Sequence, residues 1–99
     1  MKDRPNLRRF REDLDRATED SFRTAAALNN YKQTNDPLNP YRKQRLEDDY
    51  RHASAYESGL TQALYLLKGE EECANIYDPI YEKHQQLFNN GDYDPKENE

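Results

Sequence analysis

The nearest thing to a metal site in this chain is Cys73, His84 and the run Glu70, Glu71 and Glu72, all in its last third. Zinc sites assemble about four ligands, usually in closely spaced pairs such as C-x2-C or H-x3-H. Cys73 and His84 stand eleven residues apart and no close pair exists, so both read as core-facing residues. No metal and no cofactor is assigned.

Carboxylate pairs deserve the same test, because some all-helical nucleotide hydrolases hold magnesium with two E-x-x-E/D motifs on facing helices. Glu12 and Asp15 make one such half. Glu47, Asp48 and Asp49 offer a second, but Tyr50 and Arg51 stand three residues after Glu47 and Asp48, so the motif is incomplete. Mg2+ needs converging carboxylates, and a Glu- and Asp-rich helix surface is more often simply solvated. For covalent catalysis, Ser21, Ser54, Ser58 and Cys73 are the nucleophiles on offer, with His52 and His84 as bases. Residues two apart on a helix, as His52 and Ser54 are, cannot face each other. No glycine-rich turn supplies an oxyanion hole or a phosphate cradle. No catalytic residue is assigned, and the chain is read as a protein that is not an enzyme.

Two basic clusters remain: Arg4, Arg8, Arg9 and Arg11 near the start, and Arg42, Lys43 and Arg45 further on, the latter flanked by Tyr31, Tyr41 and Tyr50. Cations beside aromatic rings can grip phosphate and stack on bases. Yet Glu12, Asp13, Glu47, Asp48 and Asp49 follow each cluster directly, as i,i+4 pairing on a solvated helix has it. Nucleic-acid or nucleotide binding through Arg8, Arg9, Arg42, Lys43 and Arg45 is therefore the second reading. The first rests on tyrosine. Tyr41, Tyr50, Tyr56, Tyr65, Tyr77 and Tyr81 exceed what a thin core needs, and Tyr and Arg are common interface anchors. Protein binding through these six is the leading reading, with Tyr in place of Leu in a dimer core as its rival.

The elements that must carry these residues are helices. Leu7, Phe10, Leu14, Ala17, Ser21, Thr24, Leu28 and Tyr31 recur at alternating three and four, which predicts a helix over about 6–32 after Pro5. Its small patch of Ser21, Thr24, Ala25 and Ala26 invites a close backbone or a large ring. The stretch from Gln33 to Asn39 is dense in turn residues, and Asn39 with Pro40 makes a start signal for a second helix, 40–68. The spacing there predicts a seam of Leu46, Ala53, Tyr56, Leu60, Ala63 and Leu67. So short a connection favours an antiparallel hairpin. Gly59 lies inside the second helix, at a cost of roughly 1 kcal/mol against Ala, so close packing on the first helix or on a dimer mate is expected there. Gly69 ends it. A third helix follows over about 70–89, broken or kinked near Pro79 and closed by Gly91, and residues 92–99 are expected to form a disordered acidic tail beyond a single domain of 1–91.

Composition agrees with an all-α class. Val is absent and Ile occurs only at Ile76 and Ile80, which disfavours strands. The usual apolar residues plus glycine number 28 of 99, against about 45–50% in ordinary globular chains. A core this thin needs Tyr rings, alkyl stems of Arg and Lys, or a second copy of the chain, and a homodimer is the preferred expectation. The net charge of −5 is concentrated in residues 68–99, which hold 3 basic and 9 acidic side chains. The longest apolar run, Ala63 to Leu67, is far too short to span a membrane, and MKDRPNLRRF lacks the apolar segment of a signal peptide. With one cysteine, the expectation is a cytoplasmic protein. A short, charged, low-valine helical chain of this kind is similar to small accessory proteins of phages and mobile elements, and that resemblance implies an inhibitor or regulator of a host or defence complex.

Overall fold

A computed structural model describes the backbone of residues 7–34 and 40–94 and the side chains of residues 8–32 and 41–94. Three helices follow one another: α1, Leu7–Thr34; α2, Pro40–Lys68; and α3, Glu70–Asn89. The expected Asn39 cap and residues 95–99 of the expected tail lie outside the described residues. The helices α1 and α2 form the antiparallel hairpin. Leu14 near the start of α1 meets Leu64 near the end of α2, whereas Leu28 lies beside Tyr50 and Glu47. Each helix is about 40 Å long at 1.5 Å per residue, and the molecule measures 57 × 25 × 22 Å.

The α1 seam behaves as its spacing predicts. Leu14, Ala17, Leu28 and Tyr31 are buried, as is Ser21. Two threonines are accommodated there by hydroxyls that bond back along the helix, Thr18 Oγ1 donating to the Leu14 carbonyl at 2.9 Å and Thr24 Oγ1 to that of Asp20 at 2.8 Å, whereas the buried Ser21 hydroxyl finds no partner among the described residues.

The α2 seam is rotated from the expected one. Leu46, Ala53 and Leu60 turn inward, but Leu64 is the fully buried residue at 1% exposure, while Tyr56 and Leu67 stand 58% and 67% exposed. The reason is α3, which packs on the flank of α2 that carries Glu57, Thr61 and Leu64. Cys73 Sγ lies 3.6 Å from the Thr61 carbonyl, and the Tyr77 hydroxyl donates to the Glu57 carboxylate. The buried arc of α2 therefore shifts toward α3, and the opposite flank is left outside. Gly59 sits on that outer flank, and a Cβ added there would meet nothing within 4 Å. Close packing of Gly59 on α1 is thus corrected.

The main core forms where all three helices meet: Leu14, Leu64, Cys73, Ile76 and Ile80, with Phe10, Leu60 and Tyr77 packed against it. Reversal from α2 into α3 takes a single residue. Gly69 adopts φ 91°, a conformation that glycine tolerates at little cost. Its N–H donates to the Tyr65 carbonyl at 2.8 Å, and its own carbonyl accepts from Cys73 N–H at 3.0 Å.

Of the two expectations for Pro79, a break or a kink, the break is absent, since α3 runs as one helix with Pro79 inside it. Proline removes one N–H and so deprives the Asn75 carbonyl of its helical partner, but Cys73, Ile76, Ile80 and His84 are buried on both sides of it and keep the helix continuous. Closure by Gly91 occurs as expected. Gly91 N–H donates to Phe88 O at 3.0 Å and Asp92 N–H to Leu87 O at 2.9 Å, the paired bonds of a Schellman end with glycine at positive φ. The sequence reading put Asp92, Tyr93 and Asp94 in the tail; they instead make a turn that folds back and buries Tyr93.

Candidate functional site

The residues with the most chemistry meet where α1, α3 and the C-terminal turn converge. Asp15 and Glu19 are one turn apart on α1, so both point to the same side. From α3, Lys83 Nζ reaches Asp15 Oδ2 at 2.6 Å and His84 Nε2 reaches Asp15 Oδ1 at 2.6 Å. The other ring nitrogen of His84, Nδ1, bonds the Tyr93 hydroxyl. The Arg23 guanidinium lies 4.8 Å over the Tyr93 ring and donates Nε–H to Glu19 at 2.7 Å. Burial pushes the Asp15 carboxyl up, but hydrogen bonds and charges from Lys83 and His84 outweigh it and hold the group below the ordinary carboxylate value. An ionised Asp15 accepts the Nε2 hydrogen, and in the neutral imidazole Tyr93 then donates to Nδ1.

Sequence reasoning missed this cluster. It joined His84 to Cys73 because both lie in α3, whereas the imidazole crosses to α1. The available signal was the i,i+4 pair Asp15 and Glu19 on the flank of the α1 seam, and reading it required the α1–α3 register. Donor atoms of Asp15, Glu19 and His84 lie within 4.8 Å of one another, close enough for a shared cation. Lys83 and Arg23 already neutralise the two carboxylates, so a divalent ion must displace both. His84 is 3% exposed with both ring nitrogens engaged, which leaves no lone pair for a substrate. The cluster is a polar clasp that fastens the C-terminal turn to α1.

Nor do the other proposed carboxylates converge. Glu12 faces Arg8 at 3.6 Å on exposed surface, and Glu47 lies beside Leu28, about 20 Å along α1 from Asp15 at 1.5 Å per residue. The basic clusters Arg8 and Arg9, and Arg42, Lys43 and Arg45, are exposed at opposite ends of the hairpin. Comparison with protein-family models, with curated proteins and with solved structures finds no match. No helix among the described residues is long and apolar enough to cross a membrane.

The six tyrosines divide. Tyr77 is half-buried and gives its hydroxyl to Glu57, and Tyr81 packs its ring 5.3 Å from Phe22 and 5.7 Å from Tyr77. These two serve the fold. The other four belong to α2: Tyr41 is 86% exposed, Tyr56 58%, Tyr65 49% and Tyr50 39%, joined by Leu66 at 75% and Leu67 at 67%. Tyr41 also lines an open depression with Arg42, Arg45, Leu46 and Asp49. One helix thus carries most of the exposed large apolar side chains.

The buried phenols give a pH dependence with a definite sign. Burial, then the bonded and charged Glu57, raise the Tyr77 hydroxyl far above the ordinary tyrosine value; burial and the charge of Glu19 raise Tyr93, against a smaller opposing effect of Arg23. A group whose folded value is raised holds its proton better in the folded state. Its contribution is complete below the unfolded value of about 10 and declines as pH climbs from there toward the folded value. The urea midpoint is therefore expected to fall more steeply above about pH 10 in the natural chain than in Tyr77→Phe. Parallel curves for the two proteins would disprove this account of Tyr77.

Proposed function

We propose that this chain is a small non-enzymatic protein–protein interaction module. It works in the cytoplasm as a homodimer and inhibits or regulates another protein assembly, in the manner of phage and mobile-element accessory proteins. The observation that carries this reading is the concentration of exposed Tyr41, Tyr50, Tyr56, Tyr65, Leu66 and Leu67 on α2, six of the seven large apolar side chains that stand exposed among the described residues. Exposed aromatic side chains on a rigid helix are the anchors that protein interfaces use, because their few rotatable bonds lose little entropy on docking.

The test is a pull-down from host lysate with the tagged chain, with and without nuclease, beside the double variant Tyr41→Ala/Tyr65→Ala. Both positions are exposed, so the fold should change by less than about 0.5 kcal/mol per site. A protein recovered in stoichiometric amount despite nuclease, and lost with the double variant, is the expected result. Capture indifferent to both tyrosines would sink the role given to them.

One observation favours the nucleic-acid or nucleotide reading: Tyr41, Arg42 and Arg45 share one depression, a ring beside two guanidinium groups. Asp49 lies in the same depression, and Arg51 is paired with Asp48 at 3.5 Å nearby. If phosphate contact dominates, the pull-down should return nucleic acid that nuclease removes, and affinity should fall steeply with salt.

A further inference from the structure

We infer that Asp15, Glu19 and His84 form a binding site for one divalent transition-metal ion of the zinc class, which enters by displacing Lys83 and Arg23. The site joins α1 to α3 and shares no residue with the exposed tyrosines of α2, so metal binding and partner binding can be tested apart.

Two carboxylates one turn apart are an ordinary helix surface. What changes their chemistry here is a third donor of a different kind, brought from another helix. The His84 imidazole is 3% exposed and holds Nε2 2.6 Å from Asp15 Oδ1, and the donor atoms of all three residues lie within 4.8 Å of one another. Among the described residues no other three His, Cys, Asp or Glu side chains converge so closely. Around a tetrahedral zinc ion, with ligands at about 2.0–2.2 Å, the ligand atoms stand about 3.3–3.5 Å from each other. No pair of donors therefore has to open or close by more than about 1.5 Å to meet that geometry. Asp15 and Glu19 can supply the adjustment, since their side chains are 34% and 35% exposed and the ion reaches them from solvent.

Lys83 and Arg23 now hold the carboxylates, and both are weak competitors. Their side chains are 53% and 54% exposed, so each can swing into water with its charge solvated, and exposed ion pairs contribute little. One dication neutralises both carboxylates where two monocations do so at present. His84 offers a lone pair once its hydrogen passes, through solvent, from Nε2 to Nδ1. The Nδ1–H then donates to the Tyr93 hydroxyl oxygen, which turns from donor to acceptor, and no proton is lost from the ring. A partner on the far nitrogen is what fixes the tautomer and orientation of metal-bound histidines, and Tyr93 already occupies that place. The imidazole decides the class of ion, because nitrogen ligands suit zinc and its neighbours whereas Mg2+ and Ca2+ take oxygen. Three protein ligands leave the fourth position to water.

The experiment is a calorimetric titration of the full chain, freed of metal by a chelator, with Zn2+ near neutral pH, beside Glu19→Gln, Lys83→Gln and His52→Gln, each checked for retained helicity. The natural chain is expected to bind one equivalent. Glu19→Gln removes a ligand and should raise the dissociation constant at least roughly tenfold, whereas Lys83→Gln removes a competitor and should lower it. His52, the other histidine of the chain, is exposed on α2, and its loss should leave the isotherm unchanged. Nitrogen-15 NMR of the His84 ring should show the hydrogen move from Nε2 to Nδ1 at saturation, which an ion bound elsewhere on the surface cannot produce. Absence of binding at about 100 µM Zn2+ overturns the inference. So does uptake that Glu19→Gln leaves unchanged, that Lys83→Gln weakens or that His52→Gln abolishes, and so does a saturated chain whose His84 keeps its hydrogen on Nε2.

Discussion

Leu14→Ala is expected to lower the stability of this protein by about 3–4 kcal/mol. Leu14 is 0% exposed and touches the junction of all three helices through Leu64, Ile76 and Ile80. Removing its isobutyl group loses the transfer free energy of the buried atoms and leaves a cavity lined by residues from separate helices, which cannot close together without shifting α3. For a domain of this size each kcal/mol moves the melting temperature by roughly 4–8 °C, so a fall of about 12–30 °C is expected. Leu66→Ala is the matched control. It deletes the same atoms from a residue 75% exposed, and in the monomer it should change stability by less than about 0.5 kcal/mol. Thermal scans of the two variants at low concentration check this, and equal effects would show the core to be elsewhere.

Tyr93→Ala is the second. Tyr93 is 8% exposed, bonds His84, and carries the Arg23 guanidinium on its ring face. Alanine removes the ring, frees Arg23 and leaves His84 Nδ1 without its hydroxyl. A loss of about 2–3 kcal/mol is expected, below the value for a fully interior aromatic because residues 90–94 can detach as a unit and readmit water. Tyr93→Phe keeps the ring and should cost about 1 kcal/mol, the worth of one hydrogen bond. Urea midpoints of the two variants measure the difference. If alanine is no worse than phenylalanine, the ring contributes nothing and the clasp rests on Asp15 and Lys83 alone.

Much of this fold is legible in residue order, because helix period and turn chemistry are local. The α1 seam, the stops at Gly69 and Gly91 and the start at Pro40 all follow from them. What escapes is any property set by how one helix meets another. The α2 seam was displaced because α3 competes for the flank bearing Glu57, Thr61 and Leu64, and nothing within residues 40–68 announces that. Pro79 was overvalued as a breaker since local rules omit the face that Ile76 and Ile80 bury on both sides of it. Tyr93 is not legible as core because the partners that bury it, His84 and the distant Arg23, come from other elements. Tyr41, Tyr50, Tyr56 and Tyr65 stand exposed on α2, whereas nothing in residue order separates Tyr77 and Tyr81 from them, because their ring and hydroxyl contacts depend on the α3 register.

The named contacts of α3 reach α1 as far as Arg23, through the Tyr93 turn, and α2 from Glu57 onward. Beyond them the hairpin continues as two helices alone, from Thr24 and from Tyr56 to the described ends at Thr34 and Pro40. Opening a turn in the three-helix base disrupts the shared core and approaches the cost of global unfolding, while opening one in the two-helix arm breaks only the contact of α1 with α2. A protein that gripped the arm would therefore bind a segment whose own order is cheap to disturb, and part of its binding energy would appear as slower exchange of the arm's amide hydrogens.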